Sequence, residues 1–232
     1  MITTAIQIFP DESHLREAES RFCDLINKHV QALRALERAF TINKRNPYIA
    51  SRLAKVYESN MQIEKAITTL KDCLELVQHD KPINFQLAML LDKIPEGNRA
   101  EIKHHLRRAF TDGDINYAAQ FWYARHIYND GELIESLRIF QRLGNVNIDS
   151  RVKHFVRGLV MENNDVKRMS GMVLNVETTY AYIIRDGLQD KIYSYASLTE
   201  EKEWNKLRYH TRVTFDLGFN YYGPIAQNII QG

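Results

Sequence analysis

The last quarter of the chain contains two short runs in which tyrosines occupy alternate positions: Tyr180 and Tyr182, then Tyr193 and Tyr195. Alternate residues of a β-strand lie on the same face of the sheet. The runs therefore predict two strands that share a tyrosine-bearing face, with intervening residues such as Ile183 pointing into a core. An open sheet face with four aromatic rings is typical of surfaces on which unpaired bases stack.

Four segments of this region have a characteristic order and spacing: residues 171–173, 179–183, 192–197 and 223–229. Together they resemble the cold-shock domain, a five-stranded barrel of the oligonucleotide-binding (OB) type. The first segment matches the family's Gly-x-Val opening, and the second and third match its two ribonucleoprotein motifs. The fourth matches its closing Gly-Pro-x-Ala-x-Asn-Val pattern. The resemblance covers about residues 168–232 and implies a small all-β domain.

A fifth pattern of the family is matched by Leu207, Val213 and Phe215, with His210 where the family has glycine. The first strand departs further, because the family continues it with Lys-Trp-Phe-Asn and this chain has Leu-Asn-Val-Glu at residues 174–177. One stacking aromatic and one phosphate-facing lysine of the family are therefore missing.

The resemblance implies that the barrel binds single-stranded nucleic acid through the four tyrosines; RNA is the expected ligand and DNA the alternative. Lys191 and Arg185 flank them and are expected to meet phosphates. Phe219, Tyr221 and Tyr222, just before the last strand, are expected to extend the stacking surface.

The barrel region carries little net charge, since residues 165–232 contain eight Lys and Arg against eight Asp and Glu. Phosphate neutralisation dominates most nucleic-acid affinities. A neutral barrel is therefore expected to bind weakly and mainly by stacking. The alternative is a divergent barrel that serves as a structural or protein-docking module.

Residues 11–163 have helical spacing of apolar residues and almost no strand signal. A pattern of about 34 residues recurs, with Leu53-Ala54, Leu87-Ala88 and Tyr123-Ala124 at equivalent positions. It resembles the tetratricopeptide repeat (TPR), a helix–turn–helix unit that stacks into a solenoid. About four units fit, followed by a predicted capping helix over residues 149–162. Small residues are predicted at the helix crossings as pairs: Ala54 with Ala66, Ala88 with Ala100, and Ala124 with Ser136.

The first helix of each unit is expected to line a concave groove. Cations and aromatics fall at or beside the predicted groove positions: Arg21, Arg52, Lys55, Phe85, Phe121 and Arg125. Successive cations favour a protein or peptide partner that is acidic or ends in a carboxylate. They could equally follow a nucleic-acid backbone, or be solvent-facing charges beside aromatics that pack between repeats.

Composition sets broad limits on function. The 232 residues carry a formal net charge of +2, and two cysteines do not make a disulfide framework. We expect a cytoplasmic protein without a membrane span or secretion signal. The sequence shows no phosphate-binding glycine loop, nucleophile motif or metal-ligand spacing, so we expect no catalytic residues, metal or cofactor. The basic run at residues 103–108 is interpreted as a solvated helix face.

The sequence thus predicts a two-domain protein: an α-helical TPR-like solenoid at residues 1–163 and a small all-β, five-stranded OB or cold-shock-like barrel at residues 165–232. The predicted joint is Asn163-Asn164-Asp165. We expect a non-catalytic adaptor that binds single-stranded nucleic acid through the barrel and a protein through the helical groove. The alternatives are a pure protein–protein scaffold, or the C-terminal sensor of a larger NTPase or nuclease effector.

Overall fold

The computed structural model describes residues 2–94, 97–162, 165–188 and 190–232. The chain divides into two compact units, Met1–Asp112 and Gly113–Gly232. The predicted joint between fold types stays a prediction, because residues 163 and 164 lie outside the described residues.

The first unit is helical. Its helices form antiparallel pairs (α2 with α3, α4 with α5, α6 with α7) after a short N-terminal helix. Their bounds are α1 Ile2–Ile8, α2 Ser13–Leu25, α3 His29–Ile42, α4 Pro47–Ser59, α5 Ile63–Leu76, α6 Lys81–Leu91 and α7 Arg99–Arg108.

Local sequence signals set where several of these helices begin. The side chains of Asn46, Asp80 and Asn98 cap α4, α6 and α7 by accepting hydrogen bonds from backbone N–H groups of the first turn. Pro47 and Pro82 occupy the first turns of α4 and α6, where a missing N–H costs nothing. The predicted repeat starts at these prolines are therefore helix starts.

Small residues lie at the centre of the helix pairs, as the repeat pattern predicted. Ala54, Ala66 and Ala88 are completely buried. The prediction was wrong for Ala100, which is exposed. Ile102 is buried on that helix instead, because α7 begins 18 residues after the start of α6, whereas α5 begins 16 residues after the start of α4.

The second unit begins with two helices of the same kind, α8 Tyr117–Asn129 and α9 Leu133–Gly144, and a short helix α10 Ser150–Phe155. Ala124 and Ser136 are fully buried between α8 and α9. The predicted capping helix over residues 149–162 was wrong beyond Phe155. The chain instead passes through Gly158, at a φ of +156° that side-chain-bearing residues rarely adopt, into short strands.

Those short strands lead into the barrel. They are β1 Gly158–Leu159, β2 Met161–Glu162 and β3 Asp165–Val166; the barrel strands are β4 Arg168–Val176, β5 Tyr180–Arg185, β6 Lys191–Tyr195, β7 Arg212–Asn220 and β8 Gly223–Gln231. A 3₁₀ turn Ala196–Leu198 and helix α11 Glu201–Trp204 connect β6 to β7.

The barrel closes on itself. Around it the strands follow the order β4, β5, β6, β8, β7 and back to β4. The β6–β8 pairing is parallel and the other pairings are antiparallel. β1 pairs with Gly218 and Phe219 of β7, beyond the residues that pair with β4, and β2 pairs with β3 in a separate ribbon. The predicted five-stranded barrel after a helical repeat array is confirmed.

One continuous core joins α8 and α9 to the barrel within this second unit. Phe219, near the end of β7, is fully buried, with its ring centroid 6.2 Å from Phe121, 5.5 Å from Tyr128 and 5.7 Å from Phe140. Rings at these separations and tilts make favourable contacts beyond simple burial. The barrel and these two helices are therefore packed as one body.

His210 has a φ of +63°, in the left-handed region. This is the position at which the resembled family has glycine, which adopts this conformation without steric cost. The histidine ring stacks on Tyr209 with 3.7 Å between centroids. His210 thus adopts the left-handed backbone conformation that a glycine would favour at this position.

Candidate functional site

The four tyrosines lie together on the outer face of the β5–β6 pair. The antiparallel register places Tyr180 directly opposite Tyr195 and Tyr182 directly opposite Tyr193. Directly opposite residues on one face have Cβ atoms about 5 Å apart, so the rings form a contiguous patch. We call these four residues the tyrosine face.

Contacts within the tyrosine face order its rings. Tyr180 and Tyr182 meet edge to face at 5.6 Å, and Tyr182 and Tyr193 are tilted by 52° with 4.5 Å between centroids. The Tyr182 hydroxyl donates a hydrogen bond of 2.9 Å to the Tyr193 hydroxyl. This bond raises the pKa of Tyr182 to about 12, because ionisation would remove the proton that Tyr182 donates to Tyr193.

The tyrosine face is open at the surface. Tyr193 is 45% exposed and Tyr195 is 36% exposed, while Tyr180 and Tyr182 are half-buried. The intervening residues, including Ile183, are fully buried in the barrel. The alternation read from the sequence therefore places the tyrosines outward, as predicted.

Lys191 shares this face, because it precedes Tyr193 and Tyr195 at the same alternation on β6. It is exposed and lies opposite Ile184. No carboxylate among the described residues pairs with its ammonium group. Other barrel cations are held in ion pairs: Arg168 with Asp216, Arg212 with Asp186, and Lys206 with Glu203.

Arg185 does not belong to the tyrosine face, so the prediction that it meets phosphates was wrong. It is only 3% exposed, and its Nε donates a 2.9 Å hydrogen bond to Asp190 Oδ1. Its guanidinium also lies 4.7 Å from the ring centroid of Tyr128, whose hydroxyl donates to Asp190. These three residues form a buried polar triad that connects α8 to both ends of the β5–β6 loop.

Only one of the three aromatics predicted near the β7–β8 turn is exposed. Phe219 and Tyr221 are buried, and the Tyr221 hydroxyl donates to the carbonyl of Leu143. Both are therefore core residues, which corrects the expectation that they extend the stacking surface. Tyr222 is 61% exposed.

A second candidate site lies in the first unit, where a cavity of about 410 Å³ opens between α2, α3 and α4. Arg52 and Lys55, two of the predicted groove residues, line this cavity, and their role in binding a partner stays a prediction. Arg52 is already neutralised, with 2.6 Å to Glu17 Oε1 and 2.9 Å to Asp24 Oδ2. Lys55 is exposed and has no side-chain partner in the described part of the chain.

Two further groove predictions fall in the first unit without lining this cavity. Arg21 is exposed on α2, and Phe85 is half-buried on α6. Neither residue lines the cavity that Lys55 lines. Their proposed roles in binding a partner stay predictions.

Phe121 and Arg125 were wrongly predicted as groove residues. Phe121 is fully buried among Phe140 and Phe219. Arg125 donates a 2.8 Å hydrogen bond to the carbonyl of Leu159, and its guanidinium lies 5.3 Å from the Phe219 ring centroid. Both side chains hold the barrel against α8.

The basic run at residues 103–108 is less charged than its sequence suggests. His105 Nδ1 lies 2.8 Å from Asn84 Oδ1, and burial lowers the pKa of His105 to about 4. The Arg107 guanidinium lies over the Phe110 ring at 5.1 Å. The described residues contain no cluster of three His, Cys, Asp or Glu side chains that could hold a metal ion.

Comparison with known proteins defines the class of the helical array. No protein-family model and no curated protein matches the chain. Among solved structures, it is similar to YrrB, a TPR protein with an unusual peptide-binding site. The identity is 18%, with 60% of this chain and 71% of that chain covered and a TM-score of 0.51.

The chain is also similar to PilF of Pseudomonas aeruginosa, at 11% identity over 67% of this chain and 70% of that chain, with a TM-score of 0.52. At these identities the likeness establishes the fold alone. The protein is therefore a TPR-like helical repeat array followed by a small β-barrel. None of the described helices is long and apolar enough to cross a membrane.

Replacing Asp190 with Ala is expected to destabilise the second unit by about 3–5 kcal/mol, because it leaves the Arg185 guanidinium buried without a counter-charge. The chain's two tryptophans, Trp122 and Trp204, both lie in this unit, so tryptophan fluorescence during urea unfolding measures its stability. The double variant Arg185→Met/Asp190→Leu should recover much of the loss.

The matched control is Asp186→Ala, which removes the exposed partner of Arg212 in the same loop. It should change the unfolding midpoint far less, since exposed ion pairs contribute little. Equal losses in Asp190→Ala and Asp186→Ala would refute a structural role for the buried triad.

Proposed function

We propose that this protein is a non-catalytic adaptor. Its barrel binds single-stranded nucleic acid, RNA in preference to DNA, on the tyrosine face. Its helical array binds a protein or peptide partner. The observation that carries the proposal is the group of four neighbouring tyrosine rings with an unpaired lysine on one open face of a closed barrel.

The barrel's topology supports an OB-type assignment. OB-folds are five-stranded Greek-key barrels whose second and third strands carry the ligand face. Here β5 and β6 are the second and third barrel strands, and they carry the tyrosines. The parallel β6–β8 pairing accompanies a closing β7–β8 hairpin.

Stacking supplies most of the proposed affinity. Stacking a base on an aromatic side chain contributes about 1–3 kcal/mol and tolerates any base, because every base has a flat face. The rings of Tyr180, Tyr182 and Tyr193 already contact one another, so these three lose little side-chain freedom on binding. Lys191 shares the tyrosine face and has no carboxylate partner among the described residues, so it is the proposed phosphate contact. With one such contact we expect weak dependence on salt.

The hydroxyl pair supports the preference for RNA. Tyr182 donates to Tyr193, so the Tyr193 proton is left to donate outward. A ribose 2′-hydroxyl can accept that hydrogen bond, whereas deoxyribose offers no group there. The pair therefore gives the face a means of distinguishing the two sugars.

The exposure of the rings argues against a pure protein scaffold, in which the tyrosine face would be covered by the rest of the chain. Tyr193 and Tyr195 are open to solvent.

Removing two rings by Tyr180→Ala/Tyr193→Ala is expected to weaken binding of single-stranded RNA at least about 25-fold, since each stacked base contributes at least about 1 kcal/mol. Fluorescence anisotropy with labelled single-stranded RNA and DNA oligomers measures this. Tyr193→Phe should keep the stacking and narrow the difference between RNA and DNA.

Tyr48→Ala is the matched control, since Tyr48 is an exposed tyrosine of α4 in the other unit. It should bind as the wild type does. Equal affinity in wild type and the double alanine variant would remove the stacking proposal.

The cavity beside α4 supports the second half of the proposal. Lys55 provides an unpaired cation at its wall, and the buried Ser20 hydroxyl, which also lines it, has no hydrogen-bond partner among the described residues. A peptide carboxylate that enters the cavity would pair with Lys55. YrrB, whose fold is similar, is a TPR protein with an unusual peptide-binding site.

Calorimetry with a set of short acidic peptides, each with a free or an amidated C-terminus, tests this half. We expect the free carboxylate forms to bind more tightly, and Lys55→Glu to lose that difference. The control Lys65→Glu changes a cation on α5 that does not line the cavity. Equal losses in both variants, or no preference for the free carboxylate, would contradict the proposed groove.

A further inference from the structure

We infer that a nucleic-acid strand on the tyrosine face continues into an adjoining groove, one wall of which is the chain segment that enters the barrel. This inference rests on the proposed function of the tyrosine face. It assigns binding roles to Arg157 and Tyr222, and so extends the interface beyond the five barrel strands.

The groove adjoins the tyrosine face directly. It has a volume of about 530 Å³ and lies between residues 157–159, the end of β6 with the 3₁₀ turn, and the β7–β8 hairpin. Tyr195 lines the groove and also belongs to the tyrosine face. A strand that stacks on Tyr195 therefore reaches the groove without crossing another element.

The wall formed by residues 157–159 is held in place by two kinds of contact. Gly158 and Leu159 pair with Phe219 and Gly218 of β7 as strand β1. Arg125 binds the Leu159 carbonyl at 2.8 Å. Because the wall is fixed before any ligand arrives, binding there has a small ordering cost.

Arg157 supplies the charge on this wall. It is exposed, it lines the groove, and no carboxylate in the part of the chain that the structure describes pairs with it. A guanidinium in this setting suits a phosphate, to which it can donate two parallel hydrogen bonds. Arg157 and Lys191 are then two unpaired cations at opposite ends of one path, with the tyrosines between them.

Tyr222 provides a stacking ring at the far side of the groove. Its ring is 61% exposed but not loose: it meets Tyr221 at 5.6 Å, and its backbone N–H donates a 2.8 Å hydrogen bond to Asn220 Oδ1. The ring also lies beside Gly144, since a Cβ added there would be 3.4 Å from it. One ring face stays available to a base, and the amide of Gln227 lines the same groove and suits a base edge.

The test compares a short RNA of about 4 nucleotides with a long one of about 9, both within the range of OB-fold site sizes. We expect the wild type to bind the long RNA more tightly. Tyr222→Ala and Arg157→Gln should each weaken the long RNA about 10-fold and change the short RNA by less than about 2-fold, consistent with one stacked base or one charge-assisted contact.

Salt dependence separates the roles of the two residues. The slope of log affinity against log salt for the long RNA should become shallower by about 0.7 in Arg157→Gln, the value for one phosphate on a single strand. The slope should stay unchanged in Tyr222→Ala. Tyr222→Phe and Arg157→Lys should keep most of the affinity, and unfolding followed by tryptophan fluorescence confirms that each variant is folded.

The variants distinguish an unused groove from a tyrosine face that does not bind nucleic acid. If Tyr180→Ala/Tyr193→Ala abolishes binding while Tyr222→Ala and Arg157→Gln bind the long RNA as the wild type does, the groove is not used and the function stands. If the double tyrosine variant also binds the RNA as the wild type does, the proposed function and the groove inference are both refuted. An Arg157→Gln slope equal to that of the wild type overturns the phosphate role of Arg157.

Discussion

The register between β5 and β6 is the constraint on which the candidate site depends. It pairs Tyr182 with Tyr193 across the strands and sends Ile183 and Ile192 together into the barrel. A slip of one residue would expose the isoleucines and bury the phenols, so burial of the aliphatic set fixes the tyrosines outward. The Tyr182–Tyr193 hydrogen bond then orders rings that the register has already brought together.

The β5–β6 loop carries this register to the helices of the same unit. Arg185 ends β5, Asp190 immediately precedes β6, and both bind each other and Tyr128 of α8. A buried ion pair of this kind adds little net stability over an apolar core, but breaking it is costly. The triad therefore favours one arrangement of the loop over looser ones, and Lys191 follows directly from it. The tyrosine face is supported by α8 as well as by its own barrel.

The alternation of residues along β5 and β6 was sufficient to predict which face carries the tyrosines. The same alternation contradicts the prediction that Arg185 meets phosphates. Arg185 shares its alternation with Ala181 and Ile183, so the pattern that placed the tyrosines outward also placed Arg185 inward. Its position beside the predicted face suggested a phosphate contact. An arginine on the core side of a strand instead indicates a buried partner, and Asp190 lies five residues away.

Other errors have a physical source that the local pattern does not contain. Phe121 and Arg125 fit the repeat pattern, but their contacts are with Phe219 and Leu159, which are distant in sequence. The prediction that Ala100 lies at the helix crossing was wrong because an insertion of two residues moved the crossing to Ile102. The groove beside Tyr195 is built from three segments that are separate in the sequence, so no single stretch of sequence predicts it.

The central claim is that the tyrosine face contacts the bases of a single strand. Ultraviolet cross-linking of the wild-type protein to a short single-stranded RNA, with cross-linked peptides mapped by mass spectrometry, tests it most directly. The account predicts cross-links concentrated in peptides that contain Tyr180, Tyr182, Tyr193 or Tyr195. Cross-links confined to helices α2–α7, or none above those given by an unrelated protein of similar charge, would contradict it.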